Sequence, residues 1–229
     1  MTETSRELTI IVPVYNEERT IVSVMQRLQE VCAHAEVIYV DDGSSDASLK
    51  LMQEHARQDT DQVLTKPNGG KGSAIRMGLQ EAHGTYTAIQ DADLEYDPKE
   101  ILTLVEIAKE TGQVVFGSRF LQQNPNIYKR FLLGNKVLTG VTNLLFDAKL
   151  TDSYTCFKVL RTADFRELDL EARGFELEAE ITAKCLKKGW KVHEVPITYK
   201  PRTLEEGKKI GWKDAWRGIV MMLRIRFKG

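Results

Sequence analysis

Asp91 and Asp93 stand two residues apart just after a short run of strand-forming residues, Thr85 to Ile89. Side chains of an extended chain alternate faces, so positions i and i+2 point the same way and can offer two hard oxygen ligands to one divalent cation. Glu95 continues the spacing as a third candidate ligand. A bound nucleotide diphosphate would supply the remaining ligands, while the competing reading is a solvated acidic turn. A second candidate is Asn68-Gly69-Gly70-Lys71-Gly72. Its glycines can free backbone N–H groups for a phosphate, with Lys71 as the point charge; a helix cap with an exposed lysine is the simpler alternative. It is not a P-loop, because Thr65 stands where GxxxxGK[ST] requires its first glycine and Gly72 follows Lys71. In Asp41-Asp42-Gly43-Ser44, Asp42 suits either a bond to a base or ribose or a cap on its own turn.

The elements that must hold these residues follow from an alternation of patterns. Runs rich in β-branched residues (Leu8 to Val14, Glu36 to Val40, Thr85 to Ile89, Val114 to Phe116, Val192 to Val195) are separated by helical patterns near 18–33, 46–58, 72–83, 98–110, 130–146 and 175–188. That order predicts βαβ units and a mostly parallel sheet flanked by helices. Ligands of such sheets bind beyond the carboxyl ends of the strands, which is where the polar loops fall.

Composition narrows the class. In 229 residues, apolar types make up 42% and charged types 28%, as in ordinary globular proteins. Three cysteines without CxxC spacing argue against a disulfide framework or a zinc site, and for a reducing compartment. The longest apolar stretches, such as Ile219 to Leu223, are far shorter than the roughly 20 residues of a membrane span, and no signal peptide is readable at the N-terminus. The net charge of −1 conceals an asymmetry: residues 187–229 carry 12 Lys and Arg against 4 Asp and Glu, and residues 1–186 carry 20 against 29. A basic end suits an anionic partner. No helix-turn-helix, zinc or RNA-binding motif accompanies it, so nucleic acid is not expected.

Taken together, IIVPVYNEE, VIYVDDGSSDAS, NGGKGSAIRMGL and QDADLEYDP, in this order, resemble family-two glycosyltransferases with the GT-A fold. The downstream segments Gly117-Ser118-Arg119-Phe120, Thr151 to Lys158, Gly174-Phe175-Glu176-Leu177-Glu178 and Val195 to Arg202 resemble the dolichyl-phosphate mannose synthase branch and its bacterial polyprenyl-phosphate relatives. The resemblance implies a Rossmann-like, mostly parallel GT-A sheet over residues 1–210, followed by an amphipathic helix over 211–229. It implies nucleotide contacts at Pro13, Tyr15, Glu17, Asp42, Lys71 and Asp91. It equates Asp91 and Asp93 with a DxD motif holding Mg²⁺ or Mn²⁺, and sets Glu95 where many relatives carry Gln. It turns Arg119, Arg130 and Arg202 toward an acceptor phosphate, with a surface salt bridge the stronger reading for Arg130.

The implied reaction is inverting transfer of mannose or glucose from a nucleotide diphosphate sugar, GDP-mannose or UDP-glucose, to a polyprenyl phosphate, with Asp93, Arg119 and Arg202 central. A phosphate monoester has a second pKa of about 6, so it attacks without a strong general base. A hydroxyl acceptor would need one, and Glu176 or Glu178 would be the candidate. A non-catalytic nucleotide-binding regulator is the remaining alternative. Trp212, Trp216, Ile219, Val220, Leu223 and Phe227 recur at helical spacing among basic residues. That pattern suits a helix lying in an anionic interface. Tyr128, Phe131, Leu132, Leu138, Val141 and Leu145 are a candidate companion face, although such stripes more often cover a protein's own core. The expectation is a cytoplasmic protein held peripherally on a membrane, with room for a separate membrane partner.

Overall fold

A computed structural model describes residues 6–124, 129–202 and 212–228, the side chains of 129–131 and 212 excepted. The elements run β1 (Leu8–Val14), α1 (Ile21–Val31), β2 (Glu36–Asp41), α2 (Ser48–His55), β3 (Asp61–Thr65), α3 (Lys71–Glu81), β4 (Tyr86–Ile89), α4 (Lys99–Thr111), β5 (Val114–Ser118), α5 (Lys129–Phe146), β6 (Lys158–Arg161), α6 (Thr162–Glu167), α7 (Leu177–Lys187), β7 (Val192–Pro196) and α8 (Trp212–Phe227). The strands form one sheet in the order β3-β2-β1-β4-β6-β5-β7. The expected α/β architecture is therefore present, and β1, β2 and β4 read as near-continuous apolar runs because helices cover both faces of the sheet. Helix α4 shows the matching helical pattern: Ile101, Leu104, Val105 and Ala108 form one buried stripe, and Gly112, at φ 64°, ends the helix.

Two features of topology position the site. The chain passes from β1 outward to β2 and β3 and then returns to β4 on the other side of β1, so the crevice between β1 and β4 is a topological switch point. Strand β6 runs antiparallel to both β4 and β5. Its first residue, Lys158, therefore sits toward the carboxyl ends of its neighbours, and the irregular segment before it, Asp152 to Phe157, is drawn to the same edge.

The C-terminal helix belongs to the packed body. Met222 and Ile225 of α8 are buried with Leu138, Tyr154, Ala179 and Ala183, and Ile219, Val141 and Leu145 pack against that cluster. The stripe expected to face lipid is thus divided. Ile219, Leu138, Val141 and Leu145 serve the core, and the exposed apolar residues are Trp216, Val220, Leu223 and Phe227 of α8 with Leu133, Val137 and Leu144 of α5. Tyr128 and the side chains of Phe131 and Trp212 lie outside the described residues.

Candidate functional site

The loops after β1, β2, β3 and β4 are tied to one another by side chains. Asn16 N–H donates to Ser44 Oγ at 3.0 Å, and Ser45 N–H donates to Asn16 Oδ1 at 2.8 Å. Glu17 N–H donates to Ser48 Oγ at 2.8 Å, and Thr20 Oγ1 donates to Ala92 O at 2.7 Å. Asn16 and Leu94 hold positive φ, at 52° and 61°. For a branched residue such as Leu94 this is a strained conformation, the kind that persists where surroundings over-determine it.

Asp42 organises the glycine-rich loop. It accepts from Gly69 N–H at 2.9 Å, from Gly70 N–H at 2.7 Å and from the Lys66 ammonium at 2.6 Å. Gly72 N–H donates to Arg173 O at 2.7 Å. These glycine N–H groups are engaged within the protein, which corrects the expectation that they are free to cradle a phosphate. The glycines are required by close packing: Gly70 has φ 91°, and a Cβ there would lie 2.4 Å from Arg173 O.

Lys71 is neither an exposed cap nor a free point charge. Its Nζ lies 2.7 Å from Asp91 Oδ1 and 3.0 Å from Glu178 Oε1, and it donates to Cys156 Sγ at 3.4 Å. Glu178 also pairs with Lys158, which is wholly buried, donates to Thr155 O and lies 5.1 Å from the Phe116 ring centre. Asp91, Lys71, Glu178 and Lys158 form a row of alternating charge. Burial disfavours the Lys71 ammonium, but its neighbours, Asp91 foremost and Glu178 with it, together outweigh burial and hold its pKa well above the ordinary value. Burial likewise opposes the Glu178 carboxylate, and Lys158 and Lys71 reverse the balance, lowering its pKa. A buried carboxylate clamped between two ammonium groups is a poor proton acceptor, which corrects the reading of Glu178 as a base. Glu176 Oε1 accepts from Arg173 and Gly174 N–H groups.

Asp93 has the opposite environment. Burial, then repulsion from Asp91 and Glu95, raise its pKa to about 8, with Arg202 opposing. Arg202 spans the crevice: Nη1 and Nη2 contact Glu17 at 3.2 and 2.7 Å, and Nε donates to Asp93 O at 3.0 Å and lies 3.9 Å from Asp93 Oδ2. Glu95 accepts from Tyr199 Oη at 2.8 Å and from Arg202 N–H at 2.7 Å. Its carboxylate therefore anchors the irregular segment 199–202. Among the described residues no three His, Cys, Asp or Glu side chains form a ready-made metal cluster, so Asp91, Asp93 and Glu95 are not assembled as one ligand set.

Arg119 is buried, and Asp152 grips it in two-pronged fashion, with Nε to Oδ2 at 2.7 Å and Nη2 to Oδ1 at 2.8 Å. The Tyr199 ring lies 5.2 Å from the guanidinium. Tyr15 is exposed at the lip of the crevice, and Pro13 pairs in register with Val40. The side chain of Arg130 lies outside the described residues. Sequence reasoning missed Lys66, Asp152, Lys158 and Tyr199. For Asp152, Lys158 and Tyr199 the available signal was their occurrence inside the motif segments Thr151 to Lys158 and Val195 to Arg202; Lys66 lies outside every such segment and carried no signal.

Comparison with known proteins agrees with this geometry. Residues 9–169 match the family described as Glycosyl transferase family 2. The chain is 28% identical over 212 residues to a dolichol-phosphate mannosyltransferase of Pyrococcus furiosus, covering 90% of this chain and 60% of that protein. It is 28% identical over 226 residues to a polyprenol monophosphomannose synthase of Mycolicibacterium smegmatis, covering 88% and 80%. Two Haloferax volcanii relatives are spanned over 63% and 53% of their lengths, so the chain spans less than two thirds of several proteins it matches. Among solved structures, glucosyl-3-phosphoglycerate synthase of Mycobacterium tuberculosis in complex with Mn²⁺, UDP and phosphoglyceric acid superposes with a TM-score of 0.72 at 18% identity, over 97% of this chain and 79% of that one. That likeness is one of fold, the GT-A arrangement.

Proposed function

The chain belongs to glycosyl transferase family 2, and from that premise we propose that it transfers a hexosyl group, mannose or glucose, from a nucleotide diphosphate sugar to a polyprenyl phosphate with inversion at the anomeric carbon. The observation that carries this reading is the Arg202 guanidinium set 3.9 Å from the Asp93 carboxylate at the switch point, a phosphate-binding group beside the carboxylate pair. The names of the Pyrococcus and Mycolicibacterium relatives support the acceptor class.

The donor set fits a divalent cation, Mg²⁺ or Mn²⁺: two carboxylates, one of them raised to about 8 by burial and then by its anionic neighbours, would be relieved by positive charge. Asp91 and Asp93 would hold it, with Glu95 kept as an anchor for residues 199–202. Once bound, the cation would offset charge on the departing diphosphate. Tyr15, at the lip, offers a flat surface to the base, while Pro13 and Asp42 shape the floor of the crevice. Glu17 and Arg202 are a matched pair whose guanidinium can exchange a carboxylate for the acceptor phosphate, both being two-pronged acceptors. Arg119 supports the same side of the site through Asp152 and Tyr199. A phosphate acceptor is favoured over a hydroxyl because Glu178 is clamped and Glu176 serves the 173–174 backbone.

The lipid acceptor accounts for the exposed face of α8. Among the described residues no helix is long and apolar enough to cross a membrane. Trp216 and Phe227 are 61% and 76% exposed on a helix that also carries Lys213, Arg217 and Arg224, a combination suited to peripheral attachment at an anionic surface. The test is incubation of purified protein with polyprenyl phosphate, Mn²⁺ or Mg²⁺ and a panel of labelled nucleotide sugars. A lipid-extractable labelled product from one donor, lost with Asp93→Ala, is expected. Donor hydrolysis without lipid product would overturn the reading.

A further inference from the structure

An ammonium has three hydrogen-bond donors, and those of Lys71 are all spent within the protein, on Asp91 Oδ1 at 2.7 Å, Glu178 Oε1 at 3.0 Å and Cys156 Sγ at 3.4 Å. No donor is left for a nucleotide phosphate unless one of these bonds is given up. The group nonetheless lies against the carboxylate that would bind a divalent cation, and the side chain is largely enclosed, with 11% of its surface exposed. It cannot drift into solvent as a surface lysine would.

We propose that Lys71 is the resident counter-ion of Asp91, occupying the place of the divalent cation, and that Glu178, backed by Lys158, is the positioning residue that holds the ammonium when the cation arrives. The inference rests on the reading that Asp91 and Asp93 hold such a cation. Two cations on one carboxylate oxygen repel each other, so binding at Asp91 must push Lys71 toward its other anion. Glu178 is suited to receive it. One carboxylate oxygen already faces Lys71 and the other is fixed by Lys158, whose own surroundings, Thr155 O and the Phe116 ring face, leave it no freedom to move. The row keeps the metal-free site neutral and preformed, at the cost of competing with the metal. Glu178 acts on the metal site only through Lys71, and so it is not itself a catalytic residue.

The consequence is a pair of opposite responses. Removing Lys71 leaves Asp91 uncompensated beside Asp93 and Glu95, so the metal should bind more tightly. Removing the charge of Glu178 leaves Lys71 to Asp91 alone, so the metal should bind more weakly. A purely structural role would move both in one direction. The experiment is titration of the full chain with Mn²⁺ alone, without nucleotide, read from the free-Mn²⁺ electron paramagnetic resonance signal, with circular dichroism to verify folding. Lys71→Met should bind at least tenfold more tightly than wild type, and this gain should vanish in Lys71→Met/Asp91→Asn. Glu178→Gln should bind at least threefold more weakly, and Lys71→Met/Glu178→Gln should match Lys71→Met. If Glu178→Gln does not fold, Lys71→Met and its Asp91→Asn partner decide the matter. A wild type too weak to measure beside a measurable Lys71→Met also supports the proposal. Wild-type binding with Lys71→Met unchanged or weaker overturns the counter-ion role alone, and the absence of Mn²⁺ binding in every variant overturns the metal reading with it.

Discussion

Truncating Asp152 should be among the most damaging single changes in the molecule. Its carboxylate takes two guanidinium bonds from Arg119, at 2.7 and 2.8 Å, and the N–H groups of Arg119 and Tyr154 at 3.1 and 3.3 Å. The guanidinium is 8% exposed and the carboxylate 0%, so no water replaces the lost partner. Burial alone would lower the Arg119 pKa, and Asp152 with its neighbours holds it well above the ordinary value; a guanidinium is so basic that it keeps its charge even when the partner goes. Breaking a buried pair from one side costs about 3–5 kcal/mol. In a protein of this size each kcal/mol moves the melting midpoint by about 2–4 °C, so Asp152→Ala should fall by about 6–20 °C. Arg119→Met is the informative comparison: it removes the charge and leaves Asp152 its two backbone donors, so it should cost less. Thermal and urea unfolding of wild type, both single variants and the double variant measure these terms and their coupling. If Asp152→Ala costs under about 1 kcal/mol, or less than Arg119→Met, the pair is not the buried, mutually dependent unit described.

Asp93→Asn should leave the fold intact and raise the thermal midpoint of the metal-free protein, because it removes a carboxylate disfavoured by burial and by repulsion from Asp91 and Glu95, while transfer falls at least a hundredfold; a lowered midpoint would refute that argument. Glu36 is buried, but bonds from Thr9 and His83 outweigh that burial and lower its pKa below 4.5. Its contribution to stability is present above the unfolded value and lost as pH falls through the lower folded value, so the gap between wild type and Glu36→Gln should narrow below about pH 4.5 in acid-unfolding curves. Met222→Ala should cost about 2–5 kcal/mol because the side chain is fully buried under α5 and α7, whereas Trp216→Ser with Phe227→Ser should stay within about 0.5 kcal/mol each and weaken binding to anionic vesicles in flotation assays. Unchanged vesicle binding would remove α8 from the membrane argument.

Much of this architecture is written locally in the chain. Leu8 to Val14 and Glu36 to Asp41 announce buried parallel strands by composition alone, and the polar residues after Val14, Asp41 and Ile89 mark the functional edge. Strand β3 was not legible, because Asp61–Thr65 is a short, half-buried edge strand with no alternation. Strand β6 was missed because Lys158 to Arg161 carries a lysine whose burial makes sense only once Glu178, twenty residues later, is known to face it. The same non-locality hid the roles of Asp42 and Lys71. Spacing shows that a carboxylate and an ammonium stand near loops, but the groups that use their bonds, Gly69, Gly70 and Lys66 for one and Asp91 with Glu178 for the other, arrive from other loops and from helix α7. In α8 the helical period was readable, and the division between core and exposed face was set by where α5 and α7 pack.

The central claim is that a lipid phosphate is the nucleophile, and phosphorus resonance follows that atom directly. With purified protein, a short polyprenyl phosphate, Mg²⁺ and the donor selected from the panel, the acceptor's monoester signal should disappear as a phosphodiester signal grows in equal measure. Excess chelator or Asp93→Ala should stop that conversion. A monoester signal that stays constant while the nucleotide sugar is consumed would mean that the phosphate is not the acceptor, and the account would fail.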